Sequence, residues 1–359
     1  MWRKKSRVFV GPLNLANLSN AIVEALKGEG INARFYQYGN FEQPFNYKKG
    51  KVVYKFKNGF FPKLFNKNTT ALINRLIINL IFPYWLIKYN TFIFISPRSF
   101  LHNNLDLPIL RFFSKKVFFI FAGCVERDPA YQHDNPEYIC NRCLDEEKKA
   151  MAFCYKIEKK KAFVQKLEKY STKIISQDDC ASFLKNKNIV WLIVPGQIPK
   201  RKNYLKKFEE NKIRIVHFPS NPLVKMSHII MPVLEQLDEK YDNVEIIYKT
   251  GIPNDEVLGE LERNHILVDC LGLGYGALGI EAMARGCIIF TGKTGFIENK
   301  FPDLPVICST SQSLLADLEN IIQDKEKRMQ LSIKSMEFYK KYHSPDKIGK
   351  YYKEELDLH

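Results

Sequence analysis

The chain has 359 residues, 45% hydrophobic and 13% aromatic, which excludes a disordered protein and favours two packed α/β domains over one core. Its formal net charge of +16 calls for an anionic partner, whether nucleic acid, anionic lipid or a phosphorylated small molecule, without choosing among them. Residues 1–6 are basic but lead into a strand and not a signal peptide, and the longest apolar stretch, 76–95, is broken by Asn79, Pro83, Lys88 and Asn90; a cytoplasmic protein is expected.

In chain order, residues 8–10 read as a strand and 11–14 as a turn. A helix opening at Asn17 or Ser19 puts Ile22, Val23 and Leu26 on one face, and Gly30 stops it before a strand over 33–36. Across 45–67 lysines interleave with aromatic residues such as Tyr54, Phe56 and Phe60, and an apolar stretch over 72–86 follows. Basic and aromatic residues beside an amphipathic helix suit an anionic membrane surface at the inner face of a cell membrane. The same interleaving suits base stacking, although no nucleic-acid module signature accompanies it, or a solvated basic face over a core helix. Residues 92–95 and 117–121 read as strands separated by a helix over 105–113. The charged stretch 148–169 has helical periodicity, and 174–176 and 191–194 read as the last strands of this half.

Between 195 and 212 the composition shifts to proline, lysine and glutamate, with Gly196, Pro199 and the pair Arg201-Lys202, which marks a domain boundary. Beyond it come a strand over 213–218, a helix over 227–240, a strand over 244–248, a helix over 255–263 and the unit 266–292. The region 312–353 is mostly helical. Alternating strands and helices predict a parallel sheet in each half. The expected architecture is therefore α/β: two Rossmann-like domains with an interdomain cleft, over 1–200 and 201–330, and a helical tail, 331–359, that packs back on the first domain.

The unit 266–292 is the most informative stretch. An apolar strand ends in Asp269, a loop follows with Gly272, Gly274, Gly276 and Gly279, and a short helix opened by Glu281 stops at Gly286 before a second apolar run. This layout holds phosphorylated ligands at the carboxyl ends of strands: glycines admit close backbone approach, and a helix N-terminus offers N–H donors. It carries neither the Gly-Lys-Ser/Thr of a P-loop nor a Gly-x-Gly-x-x-Gly after the first strand. Glu281 is a candidate acceptor for a ribose diol. The loop after the strand at 213–218 adds Ser220, a hydroxyl donor, and Lys225, a mobile cation suited to a diphosphate.

Through the loop Pro219-Ser220-Asn221, Lys225, and Ile280-Glu281-Ala282-Met283-Ala284-Arg285-Gly286, this half resembles the nucleotide-sugar domain of GT-B glycosyltransferases of the retaining, family-4-like group. The resemblance reaches more weakly into the first domain, where a strand leads to the loop around Gly123. It implies a hexosyltransferase of surface polysaccharide or glycolipid synthesis that uses a UDP- or GDP-linked sugar and a glycan or lipid-linked acceptor, with no cofactor required for the chemistry. By the resemblance Glu281 binds the donor ribose, and Lys225, assisted by Ser220, binds and stabilises the leaving diphosphate. Gly274, Gly276 and Ala277 would lie near the sugar and phosphates. Arg127 would be a second cation and Glu126 a group orienting the acceptor, with Asp128 and Lys293 as further candidates. Two positions depart from the pattern: Leu273 stands where many relatives have a sugar-binding glutamate, and Ala122 where many have an acceptor-loop histidine. Other classes compatible with the residues are a basic nucleic-acid-binding protein on a Rossmann-type scaffold, a sugar-nucleotide epimerase of the same fold, and a relative that binds nucleotide sugar without transferring it.

Eight cysteines in a cytoplasmic chain argue against structural disulfides. Cys140 and Cys143 form a chelating pair that Cys124 and Cys154 would complete as a structural zinc site, with His133 as substitute ligand; reduced, unliganded thiols are the alternative. Cys180, Cys270, Cys287 and Cys308 read as small core residues.

Overall fold

The structure, a computed structural model, describes residues 5–38, 51–54, 67–95, 98–131, 135–140, 157–186, 189–199 and 204–359. Most of the basic-aromatic segment 45–67 and the start of the charged stretch 148–169 lie outside these.

The first half forms a seven-stranded parallel sheet from β1 (Arg7–Gly11), β2 (Asn32–Tyr38), β3 (Lys51–Tyr54), β4 (Thr91–Ile95), β5 (Lys116–Ile120), β6 (Lys173–Ser176) and β7 (Ile189–Trp191). Their order is β3-β2-β1-β4-β5-β6-β7. The second half forms a five-stranded parallel sheet from β8 (Ile213–His217), β9 (Val244–Tyr248), β10 (Ile266–Cys270), β11 (Ile288–Thr291) and β12 (Val306–Cys308), in the order β12-β11-β10-β8-β9. Strand β4 is buried along its whole length, which is why its sequence reads as an unbroken apolar run and not as alternation.

Helices cover both faces of the first sheet, and the side-chain period of two assigns residues to each. Phe9, Phe92, Phe94 and Phe119 point to one face, under Phe82 and Trp85 of α2 (Lys67–Lys88), Leu107 and Leu110 of α3 (Leu107–Phe112) and Val164 and Leu167 of α4 (Ile157–Tyr170). Val8, Val10, Ile93, Ile95 and Phe118 point to the other, under Ile22 and Leu26 of α1 (Leu18–Gly28). Among the described residues no helix is long and apolar enough to cross a membrane.

The segment after α10 (Leu314–Gln323) and α11 (Lys325–Phe338) runs from one domain to the other. Helix α11 packs on the second domain, and α12 (Pro345–Glu355) packs along α1 of the first. Ile348, Tyr352, Leu356 and Leu358 are buried there, and His359 exchanges hydrogen bonds with Ser6. The close helix contact depends on Gly349, because a Cβ there would lie 2.3 Å from the carbonyl oxygen of Ala25. Gly349→Val is expected to cost about 1–3 kcal/mol, the usual range for overpacking, read as a lower urea midpoint at unchanged m-value.

Three sequence expectations are corrected. The last strand of the first sheet is Ile189–Trp191, not 191–194: Ile193 and Val194 have left the ladder because the tail supplies their partners. Tyr352 donates to the Ile193 carbonyl at 2.8 Å and accepts from its N–H at 3.2 Å, while the His343 ring bonds the Val194 carbonyl at 2.8 Å. Next, Cys180, Cys270 and Cys287 are buried, but Cys308 is exposed, since β12 is an edge strand. Finally, the helix of the glycine-rich unit, α8 (Ala277–Ala284), begins four residues before Glu281, so Glu281 stands in its second turn and Gly279 lies inside it. Gly279 is needed where Tyr275 folds back, 3.1 Å from where a Cβ would sit.

Candidate functional site

In the second sheet β8 lies between β9 and β10, so the chain leaves it first to one side and then to the other, and a crevice opens at the carboxyl ends of β8 and β10. A cavity of about 240 Å³ occupies it. The second domain lines it with Phe218, Pro219, Ser220 and Lys225 from the loop after β8, with Lys249 and Ile252 beyond β9, with Asn254 at the start of α7 (Asn254–Arg263), and with Ala277, Leu278 and Glu281 of α8. The first domain contributes Ala16 and Asn17 from the loop after β1, and the connector between the domains contributes Gln197. Ala16 and Asn17 both hold positive φ, 47° and 64°, a backbone strain of the kind that gathers at ligand sites.

Lys225 is mostly buried, and its ammonium donates to Asp269 Oδ1 at 2.5 Å. Asp269 is aimed there by a register shift of β10 against β11 between Val268 and Cys270, the effect of a bulge on a side chain. Burial works to lower the ammonium pKa, but the carboxylate outweighs it and holds Lys225 above the usual lysine value. One of three ammonium donors is used, which leaves two for an anion. Beneath this pair His217 is locked between the Val268 carbonyl at 2.7 Å and Ser227 Oγ at 2.8 Å, tying β8 to the start of α6 (Ser227–Lys240), and burial lowers its pKa.

Glu281 is buried at the other end of the wall. Its carboxylate accepts from Arg285 Nη1 at 2.8 Å and from the Gln197 N–H at 3.0 Å. Burial raises its pKa, opposed by Arg285 and these hydrogen bonds. A carboxylate has about four acceptor positions, so two partners leave room for a diol. The two glycines proposed for the ligand differ. A Cβ on Gly276, at the N-terminus of α8, would meet nothing within 4 Å, whereas one on Gly274 would lie 2.7 Å from Ile297 Cδ1 and 3.0 Å from Thr294 Cγ2. Gly276 therefore opens on free space, and Gly274 serves the packing of α9 (Phe296–Lys300) and the residues before it.

Glu126 and Arg127, from the loop after β5, do not line the cavity. Glu126 is buried, and Arg127 Nε pairs at 2.6 Å with Asp179 of the short helix α5 (Asp178–Ala181), not with Glu126 or Asp128. Asp128 instead accepts from the Ala130 N–H at 2.9 Å. Asp179 Oδ2 also accepts from the Tyr138 hydroxyl at 2.6 Å. Tyr138 belongs to a strap, 135–140, that reaches from the first domain onto the glycine loop of the second. Asn135 Nδ2 donates to the Leu271 carbonyl and the Ile139 N–H to the Gly272 carbonyl, both at 2.9 Å. The Glu137 carboxylate accepts from the Ser311 N–H, and Tyr138, Ile139 and Cys140 pack against Val224 and Leu273. An apolar wall thus stands at Leu273, where the resemblance led to an expected glutamate.

Cys143, Cys154 and His133 lie outside the described residues. Cys140 is buried in the strap; Cys124 is half-buried and accepts from Arg127 Nη1 at 3.7 Å. Among the described residues no three His, Cys, Asp or Glu side chains are grouped to hold a metal ion.

Sequence reasoning missed Asp269 as the partner of Lys225, the strap, and Asp179. It also missed Lys249 and Gln197, which line the cavity from connections with no pattern of their own, and Asn254, which stands one residue before the helix expected over 255–263. Only Asp269, an acid closing an apolar run, carried a signal.

No family model matches the chain, and no curated sequence matches it. Solved structures do. HepE of Anabaena, in complex with UDP and glucose, is similar with a TM-score of 0.63 at 12% identity, over 99% of this chain and 100% of that one. The MnaA–UDP co-structure of S. aureus gives 0.52 at 13% identity, over 99% and 98%. Phytolacca americana UGT2, complexed with UDP-2fluoro-glucose and pterostilbene, gives 0.50 at 9% identity, over 99% and 100%. At these identities the likeness is one of fold: two parallel-sheet, Rossmann-like domains in the GT-B arrangement.

Proposed function

We propose that the protein is a glycosyltransferase that transfers a hexosyl group from a nucleotide-diphosphate sugar to a glycan or lipid-linked acceptor, with retention at the anomeric carbon. In this reading it serves surface polysaccharide or glycolipid synthesis as a cytoplasmic protein held peripherally at the inner face of the cell membrane. Residues 1–200 would form the acceptor side, 201–330 the donor side, and 331–359 the tail joining them. The observation that carries the reading is one cavity with a fixed ammonium, Lys225, and a fixed carboxylate, Glu281, on its wall, at the switch point of a parallel sheet. Of the two donor bases, UDP is favoured, since HepE, MnaA and UGT2 share this fold and were each solved with UDP or a UDP sugar.

The reaction sets a problem of charge. As the glycosidic bond breaks, the sugar becomes oxocarbenium-like and the bonding pair leaves with the diphosphate. Lys225 and the N–H groups at the start of α8 meet that negative charge, with Ser220 as a further donor. Glu281 grips the ribose hydroxyls and so fixes the diphosphate against Lys225. Arg127, bound to Asp179 and next to the strap through Tyr138, orders the loop after β5 from outside the cavity, and buried Glu126 takes no direct part.

A thermal-shift panel of UDP-, GDP-, ADP- and CMP-linked sugars tests the donor. Ligand at about 100 times Kd adds roughly 2.7 kcal/mol of stability, so a UDP sugar should raise Tm by several degrees while the ADP and CMP sugars leave it unmoved. A flat response across the panel removes the nucleotide-sugar reading. Conversion of donor without any acceptor would instead favour an epimerase, and a steep salt dependence for a generic oligonucleotide the nucleic-acid alternative.

A further inference from the structure

The outer side of the first domain carries apolar side chains that the donor site does not use. On α2, Leu76, Leu80, Tyr84 and Ile87 recur at spacings of three and four and stand exposed along one stripe, Leu80 at 79% and Ile87 at 77%. On and beside α3, Leu105, Ile109, Phe112 and Phe113 are exposed as well, Phe112 at 82%. Both helices bury their inner faces in the same core, on the same face of the sheet, so their outer faces share one side of the domain. Apolar exposure on this scale, gathered on two helices of one sheet face, marks an interaction surface.

Charge identifies what covers it. Helix α4 packs on that same face through Val164 and Leu167 and exposes Lys159, Lys161, Lys166 and Lys169 beside α3; Arg111 of α3 donates to the Lys169 carbonyl at 2.8 Å. Helix α4 also exposes one acid, Glu158, while its other, Glu168, accepts from the N–H groups of Lys185 and Asn186. Between Gln43 and Leu105 the sequence has no aspartate or glutamate and ten lysines and arginines. The acid that follows that stretch, Asp106, is fully buried, accepting from Ser99 Oγ and from the N–H groups of Phe100 and Leu101.

We propose that the exposed faces of α2 and α3 insert into the surface of an anionic phospholipid bilayer, with the lysines of α4 on its headgroups. Apolar side chains at acyl-chain depth beside cations at headgroup depth are what such an interface selects, and the four exposed lysines of α4 outnumber its one exposed acid, Glu158. The proposal rests on the peripheral-membrane part of the reading above and is independent of the donor site.

Flotation of the full chain with vesicles tests it. Binding is expected to phosphatidylglycerol–phosphatidylcholine vesicles and not to phosphatidylcholine alone. Leu80→Ser, Ile87→Ser and Phe112→Ser should each weaken partitioning about tenfold, and Lys159→Ala and Lys161→Ala roughly fivefold each. All five variants should keep the UDP-dependent thermal shift of the parent, which also shows that they fold. No binding to anionic vesicles, or binding unchanged in the variants, overturns the proposal. So does a dimer in sedimentation equilibrium that Leu80→Ser and Phe112→Ser dissolve, because the surface would then be a protein interface. Vesicle binding without any UDP response would sink the donor reading and leave this one standing.

Discussion

Lys225→Ala should lower turnover about 10²- to 10³-fold at saturating donor, with a much smaller change in donor affinity. Negative charge grows on the diphosphate as the glycosidic bond breaks, so a cation beside it is worth more in the transition state than in the ground state. The variant carries a second effect that must be separated from the first. Asp269, fully buried, loses its partner, and breaking a buried ion pair from one side costs about 3–5 kcal/mol. The informative comparison is therefore Lys225→Met combined with Asp269→Asn, which removes both charges and restores much of the stability. Wild-type turnover in that folded double variant would end the leaving-group role.

Asp269→Asn alone gives a pH signature. In the wild type the carboxylate outweighs burial and keeps the Lys225 pKa above the ordinary lysine value. A raised lysine contributes stability that is fully present below the unfolded pKa of about 10.4 and is lost only as pH rises through the folded value. Turnover and stability should thus show no Lys225 titration around neutral pH. Without Asp269, burial is opposed by Cys270 alone and the ammonium loses its proton at lower pH. Activity should then fall as pH rises through a range where the wild type is flat.

Much of this was legible in the sequence, because strand and helix periods are local. The strands at 213–217 and 244–248 and the helix at 227–240 follow from apolar spacing and turn residues, and so does the alternation that fixes two parallel sheets. Lys225 and Glu281 could be picked out since each sits at a fixed distance from a strand or a glycine loop. What escaped were pairings made by tertiary contact. Nothing local says that Asp179 will bind Arg127, or that Asn135 and Ile139 will cross to the loop at Leu271–Gly272. The misplaced end of β7 has the same cause: Ile193 and Val194 look like strand, but Tyr352 and His343, some 150 residues away in sequence, take their backbone groups. The helix start before Glu281 was missed for another reason, since Gly279 looks like loop until Tyr275 is seen to need the space.

Glu281→Gln should weaken UDP binding about tenfold to a hundredfold while leaving the fold in place, the range expected when a hydrogen bond to a charged group is lost. Alanine is the wrong substitution for this purpose. Arg285 is only 2% exposed, and without the carboxylate its guanidinium would be a buried charge with no counter-ion, at a cost of about 3–5 kcal/mol. Glutamine also removes the charge but keeps the shape and one acceptor oxygen for Arg285, while its amide NH2 replaces the oxygen that accepts from the Gln197 N–H. The wild type should also bind in a pH-dependent way. Burial raises the Glu281 pKa above the ordinary carboxylate value, against the pull of Arg285. For an acid raised in this way the folded state holds a proton that the unfolded chain has released, so its contribution to stability falls as pH rises from the ordinary value through the raised one. Ribose hydroxyls need the ionised form as acceptor, so UDP affinity should move the other way and climb across the same window. Titration calorimetry of wild type and Glu281→Gln at several pH values reads both. A climb that persists in the glutamine variant would assign the proton to another group and take Glu281 out of the ribose contact.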